Sequence, residues 1–406
     1  MLRVLWVVAL AAAAGVSYRV THDKLDVTAG LLFLAAVWAG LFAVVELAMR
    51  LLRCAAETRA NIRTLVATIG VMLIALELVL RAGLGGYATY LEKVEGGSYR
   101  RQRDTLRRSS WFWVNAPHKD ITYRRQEFAF PRHTNALGLS EADIPPDKPA
   151  GEYRIVSLGD SFTEGVGTSY DSTWVKVMER EIAARSPGRK VTTINAGVSG
   201  SDICAEYMLL REKLVSYHPD LVIVATNSTD VQDIMLRGGL ERFRPDGSVA
   251  VRHAAPSWEW LYGISYLSRP VVHGLLEYDR FLIKRSVSST RTRAAVVDMR
   301  ATVAAFTTLA REHGFRLLFL LHPDRGEAEE GQYDPVFDGF AASVKQIPGI
   351  EALDVLRYWQ ERQIITPENA SSFYWPIDGH NNPRGYAALG QAVADQVIRL
   401  DLLRRP

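Results

Sequence analysis

The stretch that decides the fold of this chain is residues 154–165, which read RIVSLGDSFTEG. Ile155, Val156 and Leu158 form an apolar run that is typical of a buried strand, and Gly159 and Gly165 enclose the turn that follows it. Ser161 lies in that turn, at the carboxyl end of the strand, where open α/β sheets bind their ligands. The pattern predicts a nucleophilic serine. The alternative is ordinary turn chemistry, because Gly, Asp and Ser all favour turns.

Two familiar patterns are excluded at this turn. The segment lacks the Lys-Ser/Thr ending of a phosphate loop and the three-glycine spacing of a dinucleotide-binding turn. Thr163 occupies the position where a Gly-x-Ser-x-Gly nucleophile elbow needs its second glycine. The turn is therefore neither a nucleotide site nor an ordinary α/β-hydrolase elbow.

A second motif lies near the other end of the chain, at residues 374–386, YWPIDGHNNPRGY. A serine hydroxyl becomes a good nucleophile when a base takes its proton, and a carboxylate orients that base. His380 and Asp378 can supply these two roles. Taken alone, Asp-x-His is more simply a surface loop, but together with the Ser161 turn it favours a catalytic triad.

With these two motifs the chain resembles the SGNH, or GDSL-type, hydrolase superfamily, over about residues 153–398. The resemblance implies that Ser161 is the nucleophile, His380 the general base and Asp378 the acid that orients it. The Asp-x-His spacing is one residue shorter than the commoner Asp-x-x-His. Related membrane-linked members similarly read Asp-Gly-His followed by Asn and Gly.

The resemblance also implies an oxyanion hole in which Ser161 takes part. Residues 191–201, VTTINAGVSGS, look like the block that supplies a glycine amide, and Gly200 matches better than Gly197, which is a turn residue. The next block, residues 220–230, departs from the family's Gly-x-Asn-Asp. An ungapped alignment puts the Asn position at Thr229, and a shift of two residues recruits Asn227 instead.

The region from residue 151 to residue 406 alternates strands and helices. Strands are predicted near residues 154, 191, 221 and 315–321, and helices at 174–185, 205–215, 296–313 and up to 398. This alternation predicts a parallel sheet covered on both faces, an SGNH-like (flavodoxin-like) three-layer α/β domain. An aromatic insertion at about residues 237–293 is expected to form a packed lid or subdomain.

Residues 1–86 are predicted to be a membrane region with two to three spans, at about 2–18, 26–49 and 62–83. The first is short enough to be a cleaved signal-peptide core instead, and the alternative for the longer two is buried globular helices. Arginines crowd the connection between the longer spans, so the positive-inside rule predicts a multi-pass protein of the cytoplasmic membrane with the serine domain on the extracytoplasmic side. Residues 87–150 are expected to be a linker and accessory segment.

Composition adds few constraints. The net charge of +3 indicates no nucleic-acid partner, and 48% hydrophobic residues suffice for a core and membrane segments. Cys54 and Cys204 are expected to be free thiols, without metal-ligand spacing. Neither a metal nor a cofactor is expected.

Two classes of function fit these motifs. The first is a membrane-anchored serine esterase or acyltransferase, with an acyl-serine intermediate, that acts on O-acetyl groups of cell-envelope or extracellular carbohydrate; lipid ester or thioester cleavage is its alternative chemistry. The second is a catalytically weak binding or assembly protein on the same scaffold, suggested by Thr229. The expected partners are an ester-bearing carbohydrate or lipid substrate, membrane lipids and other envelope proteins.

Overall fold

The computed structural model describes residues 27–83, 106–109, 112–253, 256, 258, 262 and 265–404. The chain divides into two compact units. The helical unit consists of residues 1–102 and 254–289, and the sheet unit of residues 103–253 and 290–406. Both sequence motifs lie in the sheet unit.

The helical unit contains two long helices, α1 (Val27–Leu51) and α2 (Ala56–Gly83). Both are long and apolar enough to cross a membrane, over Leu34–Leu51 and Ala56–Leu80, by length and composition. Only 17% and 11% of these windows is buried, whereas the core helix of a soluble protein is mostly covered. The first predicted span, residues 2–18, lies outside the described residues.

Helices α1 and α2 pack closely where a glycine permits it. The Trp38 indole donates a hydrogen bond to the Val66 carbonyl at 3.0 Å. A Cβ on Gly70 would lie 2.0 Å from Trp38 Nε1, so a larger residue would require the indole or the helices to shift.

Two acidic residues of these helices, Glu46 and Glu77, have partners inside the helical unit. Glu46 accepts a hydrogen bond from Arg63 Nη2 at 3.1 Å. Glu77 is buried and accepts from the amides of Tyr266 and Leu267, both at 2.9 Å. Part of the predicted insertion is therefore held against α2, and its role as a lid stays a prediction.

The sheet unit begins with two antiparallel hairpins in the predicted accessory segment. Strands β1 (Leu106–Ser109) and β2 (Phe112–Asn115) form the first, and β3 (Asp120–Arg124) and β4 (Ala129–His133) form the second. The rest of the predicted linker before residue 106 lies outside the described residues.

A five-stranded, fully parallel sheet follows, in the order β6-β5-β7-β8-β9. Its strands are β5 (Glu152–Gly159), β6 (Lys190–Gly197), β7 (Leu221–Thr226), β8 (Arg316–Leu321) and β9 (Glu351–Asp354). Counted along the chain this is the order 2-1-3-4-5 of flavodoxin-like folds, whose topological switch point lies between β5 and β7. The predicted fold class is confirmed.

The remaining helices are α3 (Ser161–Glu164), α4 (Trp174–Arg185), α5 (Ile203–Leu209), α6 (Ser228–Arg237), α7 (Ser268–Pro270), α8 (Arg285–His313), α9 (Arg325–Glu330), α10 (Pro335–Val344), α11 (Val355–Glu361) and α12 (Pro383–Arg399). Helix α8 begins at Arg285 rather than at the predicted residue 296. Its first turns are mostly exposed and carry no apolar stripe from which the sequence could reveal them.

Helices cover both faces of the sheet. On one face, Trp174 of α4 and Tyr386 of α12 join Ile155 and Leu318 of the strands in the main hydrophobic core. On the other face, Phe319 of β8 packs edge-on against α8. Because successive strand residues point to opposite faces, the uniformly apolar strands are explained by burial on both sides.

Candidate active site

The Ser161 turn is built by a helix cap at the end of β5. Asp160 precedes α3, and its side chain accepts a hydrogen bond from the Phe162 amide at 2.9 Å. Ser161 is therefore the first residue of a short helix that Gly165 ends in a left-handed conformation. A Cβ on Gly197, the last residue of β6, would lie 2.0 Å from the backbone nitrogen of Glu164, so β6 packs directly on α3.

The structure brings the two sequence motifs together. His380 Nε2 lies 2.7 Å from Ser161 Oγ, and His380 Nδ1 lies 2.5 Å from Asp378 Oδ1. The Phe162 ring packs against the imidazole, with ring centroids 4.8 Å apart. The imidazole is thus held between a hydroxyl and a carboxylate, the arrangement in which a neutral histidine accepts a serine proton.

Backbone hydrogen bonds shape the loop that carries the acid and the base. The Trp375 amide donates to the His380 carbonyl at 2.8 Å, and the Gly379 amide donates to the Trp375 carbonyl at 2.9 Å. Gly379 has a φ of +85°, which L side chains rarely adopt, and this turn allows Asp378 and His380 to share one short loop.

Asp378 is ionised in this setting. Burial alone would raise the pKa of its carboxyl group, but the hydrogen bond and charge of His380, together with Arg125, hold that pKa below its usual value. Arg125 Nε lies 3.6 Å from Asp378 Oδ2, the oxygen that faces away from the imidazole contact. The carboxylate can therefore steady a positive charge on His380.

The loop after β6 carries Gly200 beside the nucleophile turn. Ser201 Oγ donates to the Gly159 carbonyl at 3.1 Å, which ties the loop to the end of β5. Gly200 has a φ of +77°. Within the described residues, neither its amide nor that of Ser161 has an acceptor. These two backbone amides can thus donate hydrogen bonds, and an oxyanion hole is built from such donors.

Asn227 and Thr229 occupy different positions around the turn that starts α6. Asn227 is fully buried, and its Nδ2 donates to Asp160 Oδ2 at 3.0 Å. Thr229 Oγ1 donates to Asn227 Oδ1 at 2.6 Å. A hydroxyl has one hydrogen to donate, so that of Thr229 is already used, whereas the Asn227 amide has two.

His322 is a buried residue of this site that the sequence analysis missed. It directly follows β8, its Nε2 lies 3.4 Å from Asn227 Nδ2, and its ring packs 5.1 Å from that of Phe162. Burial lowers its pKa, against the charge of Asp160, so the imidazole is neutral. A polar residue directly after an apolar strand was the signal that could have found it.

Glu164 is a second missed residue, and it links the accessory segment to the nucleophile turn. Its buried carboxylate accepts five hydrogen bonds from described residues. The donors to Oε1 are Asn115 Nδ2 at 3.3 Å, Tyr123 OH at 3.0 Å and Ser140 Oγ at 2.9 Å; the donors to Oε2 are the Ser199 amide at 2.8 Å and the Ser199 hydroxyl. Because Ser199 directly precedes Gly200, the two hydrogen bonds to Oε2 hold the backbone next to Gly200 in place.

Three buried acidic residues, Glu206, Asp230 and Asp202, lie near the loop that carries Gly200. Burial, together with the charges of Asp230 and Asp160, raises the pKa of Glu206 well above its usual value. Glu206 lies 2.9 Å from Ser201 Oγ. Asp202, by contrast, is ionised, because Arg242 and Arg237 offset its burial and lower its pKa.

Besides the triad, possible metal ligands and the two cysteines are the groups that could take part in chemistry. No group of three or more His, Cys, Asp or Glu among the described residues is arranged to hold a metal ion. Cys54 and Cys204 are both free, and burial raises the pKa of the Cys204 thiol, which keeps it protonated.

Comparison with known proteins identifies the sheet unit. Residues 157–388, more than half of the chain, match the family model described as GDSL-like Lipase/Acylhydrolase family. None of the curated proteins matches the chain.

Several solved structures are similar to this chain. One is an α/β hydrolase, LAE5, from the metagenome of Lake Arreo (15% identity, 62% of this chain and 96% of that one, TM-score 0.38). Another is the acetylxylan esterase Axe2 from Geobacillus stearothermophilus (15% identity, 60% and 94%, TM-score 0.37). A third is TesA (13% identity, 61% and 99%, TM-score 0.37).

Proposed function

We propose, from the premise that the chain belongs to the GDSL-like lipase/acylhydrolase family and is an ester-bond hydrolase, that Ser161 is acylated in each turnover. The observation that supports this is the unbroken contact from Ser161 Oγ through His380 to Asp378, at 2.7 and 2.5 Å. A serine next to an oriented base is the arrangement that nucleophilic catalysis requires.

In the proposed reaction, His380 Nε2 takes the proton of Ser161 as the oxygen bonds to the ester carbonyl carbon. The amides of Ser161 and Gly200 stabilise the oxyanion. The imidazolium then protonates the leaving alcohol as its C–O bond breaks, and an acyl-serine remains. Water, or a second hydroxyl group, attacks the acyl group with His380 again as base, and Ser161 regains its proton.

Asn227 rather than Thr229 is the proposed third oxyanion donor. The single hydrogen of the Thr229 hydroxyl is used on Asn227 Oδ1. The second hydrogen of the Asn227 amide faces His322 Nε2 across 3.4 Å, a long contact that an oxyanion can displace. This assignment weakens the case for a catalytically weak scaffold protein.

The proposed substrate is an O-acetyl ester of cell-envelope or extracellular carbohydrate. The proposal rests on location: α1 and α2 are able to cross a membrane, and arginines lie between and beside them, so the positive-inside rule favours the sheet unit on the extracytoplasmic side. A reporter enzyme that works only on the extracytoplasmic side of the membrane should be active when it is fused after Pro406. If instead only a reporter that works in the cytoplasm is active at this position, the proposed topology is wrong.

The catalytic proposal is tested with the full-length protein in detergent. It should hydrolyse short aryl esters and be labelled by a fluorophosphonate, and Ser161→Ala should abolish both. His380→Ala should lose turnover while remaining folded. A wild-type protein that neither turns over nor is labelled would refute the proposal.

The same preparation separates the substrate classes. Acetylated oligosaccharides, long-chain lipid esters and acyl thioesters are compared by kcat/KM. The carbohydrate proposal expects the acetylated sugar to be the best substrate, and preference for a lipid ester or a thioester would replace it.

A further inference from the structure

The β3–β4 hairpin touches the loop that carries the acid and the base. Glu127, in the turn of this hairpin, accepts two consecutive backbone amides on one oxygen: that of Ile377 at 2.9 Å and that of Asp378 at 2.8 Å. Two neighbouring amides bound to one carboxylate oxygen restrict the direction of the backbone at Asp378.

The same turn also reaches the Asp378 side chain. His380 contacts Oδ1, and Arg125 Nε approaches Oδ2 at 3.6 Å, so the two oxygens have different partners. The Phe128 ring packs on Trp375 of the same loop, with centroids 5.3 Å apart. Backbone, carboxylate and aromatic contacts thus join one turn to one loop.

Strand β4 of the hairpin contacts the segment that begins with Ser161. Arg132 is buried on β4 and donates to the carbonyls of Glu164 and Gly165, and to that of Thr168 at 3.2 Å. These carbonyls lie at the end of α3, which begins with Ser161, and in the loop that follows it. The hairpin therefore contacts both sequence motifs, although it lies before the residues 157–388 that match the family.

We propose that the turn of this hairpin, residues 125–128, is a positioning element for the acid–base pair. Glu127 orients the backbone of Asp378, and Arg125 holds its second carboxylate oxygen. The inference rests on the proposed function, because it takes Asp378 as the residue that orients His380. Both hairpin residues act through Asp378 and contact no reacting atom.

The two charges have opposite effects on protonation of the base. Loss of the Arg125 charge favours the imidazolium, so the acidic limb of the pH–rate profile should move to higher pH. Loss of the Glu127 charge disfavours the imidazolium, so the limb should move to lower pH. Other charged or titratable groups around this loop include Arg325, which donates to the Pro376 carbonyl, Arg384, which donates to the Ser372 hydroxyl, and the buried phenols of Tyr374 and Tyr386.

Variants at Glu127 separate position from charge. Glu127→Gln keeps an acceptor oxygen for the two amides, so it should shift the acidic limb with little loss of kcat. Glu127→Ala removes the acceptor as well and should lower kcat about ten- to a hundredfold, as expected for a misplaced catalytic group, with KM changed by less than about twofold. Arg125→Gln should shift the limb in the opposite direction.

Matched controls lie on the same hairpin. Asp120→Asn and Arg124→Gln remove one charge of each sign from β3, and both should leave kcat and the pH profile unchanged. Circular dichroism and fluorophosphonate labelling check that each variant is folded and retains a reactive Ser161.

The outcomes distinguish this inference from the proposed function. An active wild type whose Glu127 and Arg125 variants keep its kcat and pH profile would overturn only the hairpin proposal. Limb shifts in the same direction for both variants would also overturn it. A wild type with neither turnover nor labelling would overturn the proposed function, and the hairpin proposal with it.

Discussion

Replacing Glu164 by Gln should weaken both the stability and the activity of the protein. The buried carboxylate accepts three hydrogen bonds on Oε1 and two on Oε2. The new amide group is best placed on the Oε2 side, because the Ser199 hydroxyl can turn and accept from it. The Ser199 amide cannot, so its bond to the carboxylate is lost.

The expected loss of unfolding free energy follows from this one lost hydrogen bond and from the weakening of the other four. A hydrogen bond to a charged group contributes about 1.5–3 kcal/mol, and the other four become neutral and weaker. We expect the free energy of unfolding to fall by about 2–4 kcal/mol. Because Ser199 adjoins Gly200, displacement of the proposed oxyanion amide should also lower kcat by about ten- to a hundredfold.

Urea unfolding of the full-length protein, followed by tryptophan fluorescence, measures the first effect, and aryl-ester turnover measures the second. The control is Glu361→Gln, an exposed residue whose pairing with Arg357 should be worth less than about 1 kcal/mol. If Glu164→Gln changes stability no more than this control and keeps the wild-type kcat, the described role of Glu164 is wrong.

Three further predictions address the surroundings of the nucleophile. Asn227→Ala should lower kcat by about a hundredfold or more, whereas Thr229→Val should change it by less than about threefold; the reverse order, measured with an aryl ester, would favour Thr229 as the oxyanion donor. Gly197→Ala should lower the free energy of unfolding by about 1–3 kcal/mol, because the new Cβ meets the α3 backbone, while Gly339→Ala, with open space around it, should not; equal unfolding midpoints would contradict this. The raised pKa of Glu206 makes its stabilising contribution complete below the usual glutamate pKa of about 4.3 and lost as pH rises through the folded-state value. Glu206→Gln, which mimics the protonated acid, should therefore gain stability relative to wild type as the pH of the unfolding assay is raised, and parallel pH profiles would refute the assignment.

The sequence determined the class of the fold because the information is local. Apolar runs at residues 155–158 and 221–225, followed by turn residues and amphipathic helices, are sufficient to predict a parallel α/β sheet. The polar start of α8 and the four-residue strand β9 carried no such pattern, and neither was predicted. Two apolar helices were likewise predicted from composition alone, and their relation to a membrane stays a prediction.

The tertiary structure decided which residues meet. Ser161 and His380 are far apart in the chain, and their 2.7 Å contact depends on the order of the strands and the packing of α12 on α4. The sequence left Thr229 and Asn227 as alternatives, and the proposed choice between them depends on which hydrogen of each side chain is already used. Glu164 and Glu127 look like ordinary surface acids in sequence, and only the fold shows that one is buried at the nucleophile turn and the other binds the backbone of Asp378. Local pattern encodes the elements, but hydrogen-bond partners distant in sequence are set only when those elements pack.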